Sequence, residues 1–231
     1  SRRIGVTERL TMSQVSTTTS SPRRRVAMTW VVWITAVIAY GFAVMQRTSL
    51  GVMGLTAAAH FNAPASVVAT FMVLQLAVYA VLQIPAGITV DRLGSRVVIT
   101  AGSIVMTVGQ VVMALTGSVG GAVLARVLVG CGDAFIFGAA IRLVPAWFPP
   151  KQTPLVTQLT GLLGQFGQVV SAVGLVAMVN SSGWRSTYLL AAGGAAVAAA
   201  LAFLLIRDAP PGVEPERTDG NVKQLPHQVA E

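Results

Sequence analysis

Gly87-Ile88-Thr89-Val90-Asp91-Arg92-Leu93-Gly94-Ser95-Arg96 lies between two long apolar runs and packs one acid and two arginines into ten residues. A bilayer core offers no water to loop backbone, so a charged turn of this kind belongs at a water interface. Its two glycines mark a sharp change of direction at a helix end. The apolar runs on either side then become membrane spans. Positive-inside arginines in an ordinary cytoplasmic loop account for Arg92 and Arg96. They do not account for Asp91, or for the spacing Gly-x-x-x-Asp-Arg-x-Gly-x-Arg.

Composition agrees. Of 231 residues, 54% are hydrophobic and 10% charged, where soluble domains carry about 25% charge. The chain is expected to be an integral membrane protein. Cys131 is the single cysteine, which excludes a disulfide framework and a cysteine zinc site. The net charge of +8 raises the possibility of nucleic acid as a partner. The basic residues cluster at the ends of apolar runs, however, which fits orientation in a membrane rather than a phosphate-binding face.

Taken in order, residues 1–26 are polar and basic, ending in Arg23-Arg24-Arg25, and are expected to be a disordered cytoplasmic tail. Six spans follow over 27–206, at about 27–59, 65–90, 97–116, 122–144, 155–179 and 187–206. A crossing helix needs about 20 residues. The first run exceeds that, so it tilts or extends beyond lipid. It is also too long for a secretory signal and lacks a small-residue cleavage site. Pro145, Trp147, Phe148, Pro149, Pro150 and Lys151 form an inner interfacial loop, and Asn180 to Arg185 an outer turn. Residues 207–231 return to a polar, Pro-rich tail. Six N-tail arginines, Arg92, Arg96, Arg142, Lys151, Arg207, Arg217 and Lys223 fall on one side, against Arg185 on the other. Both termini are therefore expected to be cytoplasmic.

The decapeptide resembles the signature loop between the second and third helices of the major facilitator superfamily. Gly87, Asp91, Arg92, Gly94 and Arg96 fall on that family's positions, and Ser95 stands where another basic residue is frequent. The resemblance implies an all-α membrane protein in which residues 27–207 form the N-terminal six-helix half, two inverted three-helix repeats, of a twelve-helix transporter. The signature loop then acts as a conformational switch. The last residues look like the start of a central cytoplasmic loop. A fragment, a split-gene half and a subunit of a homodimer are all compatible with this length.

Ionisable side chains at bilayer depth are functional candidates by default, and three qualify: Arg47, Arg126 and Asp133. Arg126 and Asp133 are seven apart on one helix, hence on one face and about 10 Å apart along the axis. That face should look into the bundle. The alternative is a structural ion pair in which Asp133 neutralises Arg126 or Arg47. For Arg47 a further alternative is an outer-end arginine that snorkels to water. Arg126-x-x-x-Gly130-x-Gly132 resembles the superfamily's fourth-helix motif, and with Arg47 and the acid at 133 it is similar to the anion:cation symporter branch. By that resemblance Arg47 and Arg126 hold a carboxylate or phosphate, which guanidinium binds bidentately, and Asp133 is the proton-coupling site. Two departures are Asp for the branch's usual Glu, and Gln46 where some proton-coupled members carry a second acid.

In the fifth span Gly161, Gly164 and Gly167 recur every three residues and suit close helix packing. Gln165 and Gln168 share a face and are candidates for hydrogen-bonding a hydroxylated substrate. The sixth span, rich in Ala and Gly, is expected to be packing surface, His60 and His227 to be solvated, and Cys131 to be a small packing residue. No nucleotide-phosphate loop, metal cluster or catalytic set is present in the sequence, so neither a cofactor nor an enzyme activity is expected. The expected function is a secondary active transporter, half or fragment, that moves a small organic anion, with a proton or other coupling ion. Its expected partners are the lipid bilayer and a second six-helix half, without nucleic acid, in the cell membrane, a bacterial inner membrane. The alternatives are a drug or metabolite exporter of the same superfamily and a non-transporting membrane fragment or assembly partner.

Overall fold

Long apolar sequence without backbone partners in lipid has to close its own hydrogen bonds, and helices do so within each segment. The computed structural model describes residues 22–210, and the described residues are helical almost throughout. The elements are α1 (Pro22–Val52), α2 (Gly54–His60), α3 (Ala65–Leu93), α4 (Ser95–Leu115), α5 (Val119–Trp147), α6 (Thr153–Val170), a π-helical turn (Ser171–Leu175) and α7 (Val176–Leu205). Most of residues 1–26 and 207–231, the two expected tails, lies outside the described residues.

Among the described residues, five helical stretches are long and apolar enough to cross a membrane: Val26–Val52, Ala65–Leu93, Ser95–Leu115, Val119–Trp147 and Thr153–Leu205. The last is 53 residues long, well over the roughly 20 that cross a bilayer. It does not continue straight. Gly183, at φ 79° and ψ 173°, leaves helical conformation inside α7. That backbone region is open to glycine and strained for residues with a Cβ. The break falls within the outer turn expected at Asn180 to Arg185.

Two boundaries differ from sequence expectation. The first run, expected to be one element over 27–59, divides at Met53, whose φ −105° and ψ 22° leave the α-helical region. Glycines at 51 and 54 flank this break and weaken the helix on both sides. The fourth helix does not end at 144, because α5 runs through Pro145 to Trp147. A proline that close to the C-terminus removes a single hydrogen bond and leaves few residues beyond it to disrupt.

Packing follows from small residues. α5 lies against both α3 and α4, α4 also against α7, and α1 against α5, α6 and α7. A Cβ on Gly102 would lie 2.8 Å from the Gly132 carbonyl oxygen, and a Cβ on Gly132 would meet that of Gly102. These two helices therefore touch backbone to backbone, as small-residue contacts in membranes allow. Gly167 of α6 meets the Gly41 backbone of α1 in the same way, while Gly164 leaves room for the Tyr40 ring. The Trp33 indole N–H donates to Thr160 Oγ1 at 2.8 Å, a buried cross-link between α1 and α6.

At one end of the bundle the signature loop is a tight corner. Gly94, at φ 83° and ψ 159°, separates α3 from α4. Asp91 is ion-paired with Arg142 near the end of α5. The Arg96 backbone N–H donates to Asp208 Oδ1 at 2.9 Å, and its side-chain Nε donates to the Phe203 carbonyl at 2.8 Å. Asp208 thus caps the start of α4, where free N–H groups and the helix dipole favour a carboxylate. Arg96 in turn holds a carbonyl at the end of α7. Arg92 is exposed. Gly87 sits inside α3 with open space around it.

At the other end His60 is stacked on Trp184, centroids 4.5 Å apart at 13°, with Nε2 3.2 Å from the Thr116 carbonyl. His60 is exposed, as expected of a solvated ring, and its other face is packed on Trp184. Trp184 donates its indole N–H to the Met113 carbonyl at 3.0 Å.

Candidate functional site

The fourth-helix motif on α5 sets the geometry of the buried charges. Gly130 has no side chain, and a Cβ there would lie 2.6 Å from the Gln75 carbonyl oxygen. α3 therefore comes close enough to α5 for Gln75 to reach Arg126. Arg126 NH1 donates to Gln75 Oε1 at 3.3 Å, to the Gln46 carbonyl at 3.4 Å and to Ser49 Oγ at 3.4 Å, and NH2 donates to Ser49 Oγ at 3.4 Å. Its guanidinium carbon lies 5.9 Å from the centre of the Tyr188 ring, within cation–π range. Arg126 is 0% exposed, and Nε has no hydrogen-bond partner. All of these partners are neutral. A buried guanidinium with no carboxylate beside it is costly unless something negative joins it.

Asp133, also 0% exposed, does not pair with Arg126. Its Oδ2 lies 3.2 Å from NH1 of Arg47, whose side chain is 18% exposed. Arg47 also stands over the Tyr79 ring, 5.4 Å from its centre, and faces Tyr40. Both Gln46 and Arg47 sit on α1, so consecutive residues serve two different arginine sites. The Gln46 carbonyl accepts from Arg126, while the Arg47 side chain reaches Asp133. The Gln46 Oε1 and Tyr188 hydroxyl are buried without hydrogen-bond partners.

The structure therefore brings Arg47, Arg126 and Asp133 into one cluster between α1, α3 and α5. Gln165 and Gln168 are outside it: both are exposed on α6, on a side away from the Gly164 and Gly167 contacts with α1. The signature residues Gly87, Asp91, Arg92, Gly94 and Arg96 form the separate corner described above. Gln75, Ser49 and Tyr188 were not picked out from sequence. Gln75 carried a signal, being one of two amides, with Gln83, in a largely apolar span, and Tyr188 shows that the last span supplies more than packing surface. Ser49 carried none, because a serine in a span commonly bonds its own helix, and here Ser49 Oγ also donates to the Gln46 carbonyl. Among the described residues no group of His, Cys, Asp or Glu is arranged to hold a metal ion.

Known proteins resemble this chain in sequence and in fold. The family model described as Major Facilitator Superfamily matches residues 32–227. The chain is 24% identical over 159 residues to the probable L-galactonate transporter of Escherichia coli (strain K12), which covers 69% of this chain and 34% of that protein. It is 26% identical over 112 residues to the probable sulfoacetate transporter SauU of Cupriavidus necator, covering 48% and 26% respectively. Among solved structures it is similar to a bacterial homolog of the human lysosomal transporter Spinster, inward-facing and occupied, with TM-score 0.63, 19% identity and coverage of 84% of this chain and 46% of that one. It is also similar to a POT family transporter in complex with 5-aminolevulinic acid, with TM-score 0.63, 17% identity and coverage of 85% and 42%. The chain spans about a third or less of the length of the L-galactonate and sulfoacetate transporters, and under half of the two solved structures. They are transporters, not enzymes.

Proposed function

Because this chain belongs to the Major Facilitator Superfamily, we propose that it is the anion-gripping part of a secondary active transporter that moves a small organic anion coupled to protons. In this reading it crosses the membrane six times, as two inverted three-helix repeats. The 53-residue stretch from Thr153 to Leu205 counts as two spans hinged at Gly183. Both termini then lie on the cytoplasmic side, with Arg92, Arg96, Arg142 and Lys151, in the bacterial inner membrane. The Arg96–Asp208 contact joins the signature loop to the start of the central linker.

One observation carries the proposal: Arg126 is a fully buried cation whose partners are all neutral. A carboxylate or phosphate fits this deficit, because guanidinium offers paired donors of matching geometry. Arg47 is the second anion contact and Asp133 the proton site. A proton on Asp133 ends its ion pair and frees Arg47 for substrate. Relatives named for L-galactonate and sulfoacetate support an organic anion. Gln165 and Gln168, both exposed on α6, serve as hydrogen-bond donors to substrate hydroxyls from the side facing a second half.

Alternating access rocks one six-helix half against another around a midplane site, so transport requires a second half. The second reading is an assembly partner that does not transport by itself. Proteoliposome uptake of a radiolabelled sugar acid separates the two. Saturable uptake that depends on Arg126 supports the first reading. Absence of uptake from every assembly, with or without a six-helix partner, supports the second.

A further inference from the structure

The cluster can be described by its charge. Among the described residues, the charged groups of this cluster are Arg47 and Arg126, both positive, and Asp133, negative. The other charges on the packed elements are Arg23, Arg24 and Arg25 at the start of α1, Asp91 and Arg92 at the end of α3, Arg96 at the start of α4, Arg142 near the end of α5 and Arg185 just after the Gly183 break in α7. α6 carries no charged residue. Tyr40, Tyr79 and Tyr188 face the arginines and are neutral. Arg47 and Asp133 cancel across 3.2 Å, which leaves the single positive charge of Arg126.

Charge left unbalanced in a low-dielectric interior is expensive, and charge interactions there are strong. Resting on the anion-transport reading, we propose that Asp133 sets the valence of the substrate: with Asp133 ionised the site accepts a singly charged anion, and with Asp133 neutral it accepts a doubly charged one. A monoanion beside Arg126 brings the occupied site to zero. A dianion overshoots by one and meets the Asp133 carboxylate, and one proton on Asp133 restores zero and releases Arg47 to hold the second charge. The coupled proton is thus the partner of the second negative charge.

Gluconate and glucarate are matched in length and hydroxylation and differ by one carboxylate, so they are the probes. Binding of each is measured on the native-length protein purified in detergent, near neutral pH, for wild type, Asp133→Asn and the double variant Arg47→Gln/Asp133→Asn. Wild type, at +1, is expected to favour gluconate by at least about tenfold. Asp133→Asn, at +2, is expected to reverse the preference towards glucarate. The double variant returns the site to +1 and is expected to restore the wild-type preference, and it also removes the unpaired Arg47 that could impair folding of the single variant. A preference that stays the same across all three proteins overturns valence selection and leaves the anion reading standing. A double variant that behaves like Asp133→Asn also overturns it, because local geometry and not charge would then decide. Binding of neither probe, nor of a wider anion panel, overturns both the anion reading and this inference.

Discussion

Arg47 NH1 and Asp133 Oδ2 meet at 3.2 Å between α1 and α5, while Arg126, on the same helix as Asp133, is bound by neutral groups alone. The two arginines are therefore in different electrical states. Arg47 can be released by a proton on its partner. Arg126 has no such partner and is satisfied fully only when an anion arrives.

Arg126→Lys is expected to reduce uptake at least tenfold even though the charge is kept. An ammonium is a point donor and cannot reproduce the fork that spans Gln75, Ser49 and the Gln46 carbonyl. Initial-rate uptake in proteoliposomes measures this, and uptake at the wild-type level would place the anion site elsewhere.

Asp133→Asn is expected to separate exchange from accumulation. Without a carboxylate to carry the proton, accumulation driven by a proton gradient is lost, whereas counterflow of labelled against unlabelled anion persists. Both readouts are taken on the same vesicles. Gradient-driven accumulation by the variant would assign the proton to another group.

Gln75→Leu removes one acceptor from a buried guanidinium and is expected to cost about 1–3 kcal/mol of stability or substrate affinity. Thermal unfolding with and without bound anion distinguishes the two. A smaller loss in the anion-bound protein is expected, since the anion supplies an acceptor.

Gly94→Ala is expected to destabilise by about 1–3 kcal/mol, because φ 83° with ψ 159° disfavours a Cβ and that atom would lie 2.7 Å from Asp208 Oδ2. Gly87→Ala is the control. With nothing within 4 Å of the added methyl and a helical backbone, it is expected to be neutral or stabilising by up to about 1 kcal/mol. Equal melting temperatures for the two variants would contradict the assigned turn geometry.

Gly167→Ala places a methyl against the Gly41 carbonyl and 3.1 Å from the Met45 backbone nitrogen. Backbone cannot move aside as a side chain can, so a loss of about 1–3 kcal/mol is expected from overpacking. The melting temperature in detergent checks it. Gly161→Ala, with open space around it, should melt like the wild type.

The sequence alone determined that the chain is helical and membrane-spanning, because apolar run length and charge placement follow from what lipid tolerates and need no knowledge of contacts. It also determined the corner at Gly94 and the three candidate charges, since an ionisable residue within an apolar run stands out by type alone. The tertiary structure decided who meets whom. Helical spacing placed Arg126 and Asp133 on one face, but whether the acid turned to Arg126 or Arg47 depended on how α1 docks on α5. Gln75 entered the site through the missing side chain of Gly130, two helices later in the chain but adjacent in space, and Tyr188 through the fold of α7 beyond the break at Gly183. Such encounters join residues 51 to 86 positions apart or more, and local pattern carries no record of them. They are fixed by small-residue contacts between helices, where the absence of a side chain lets one backbone come within reach of another.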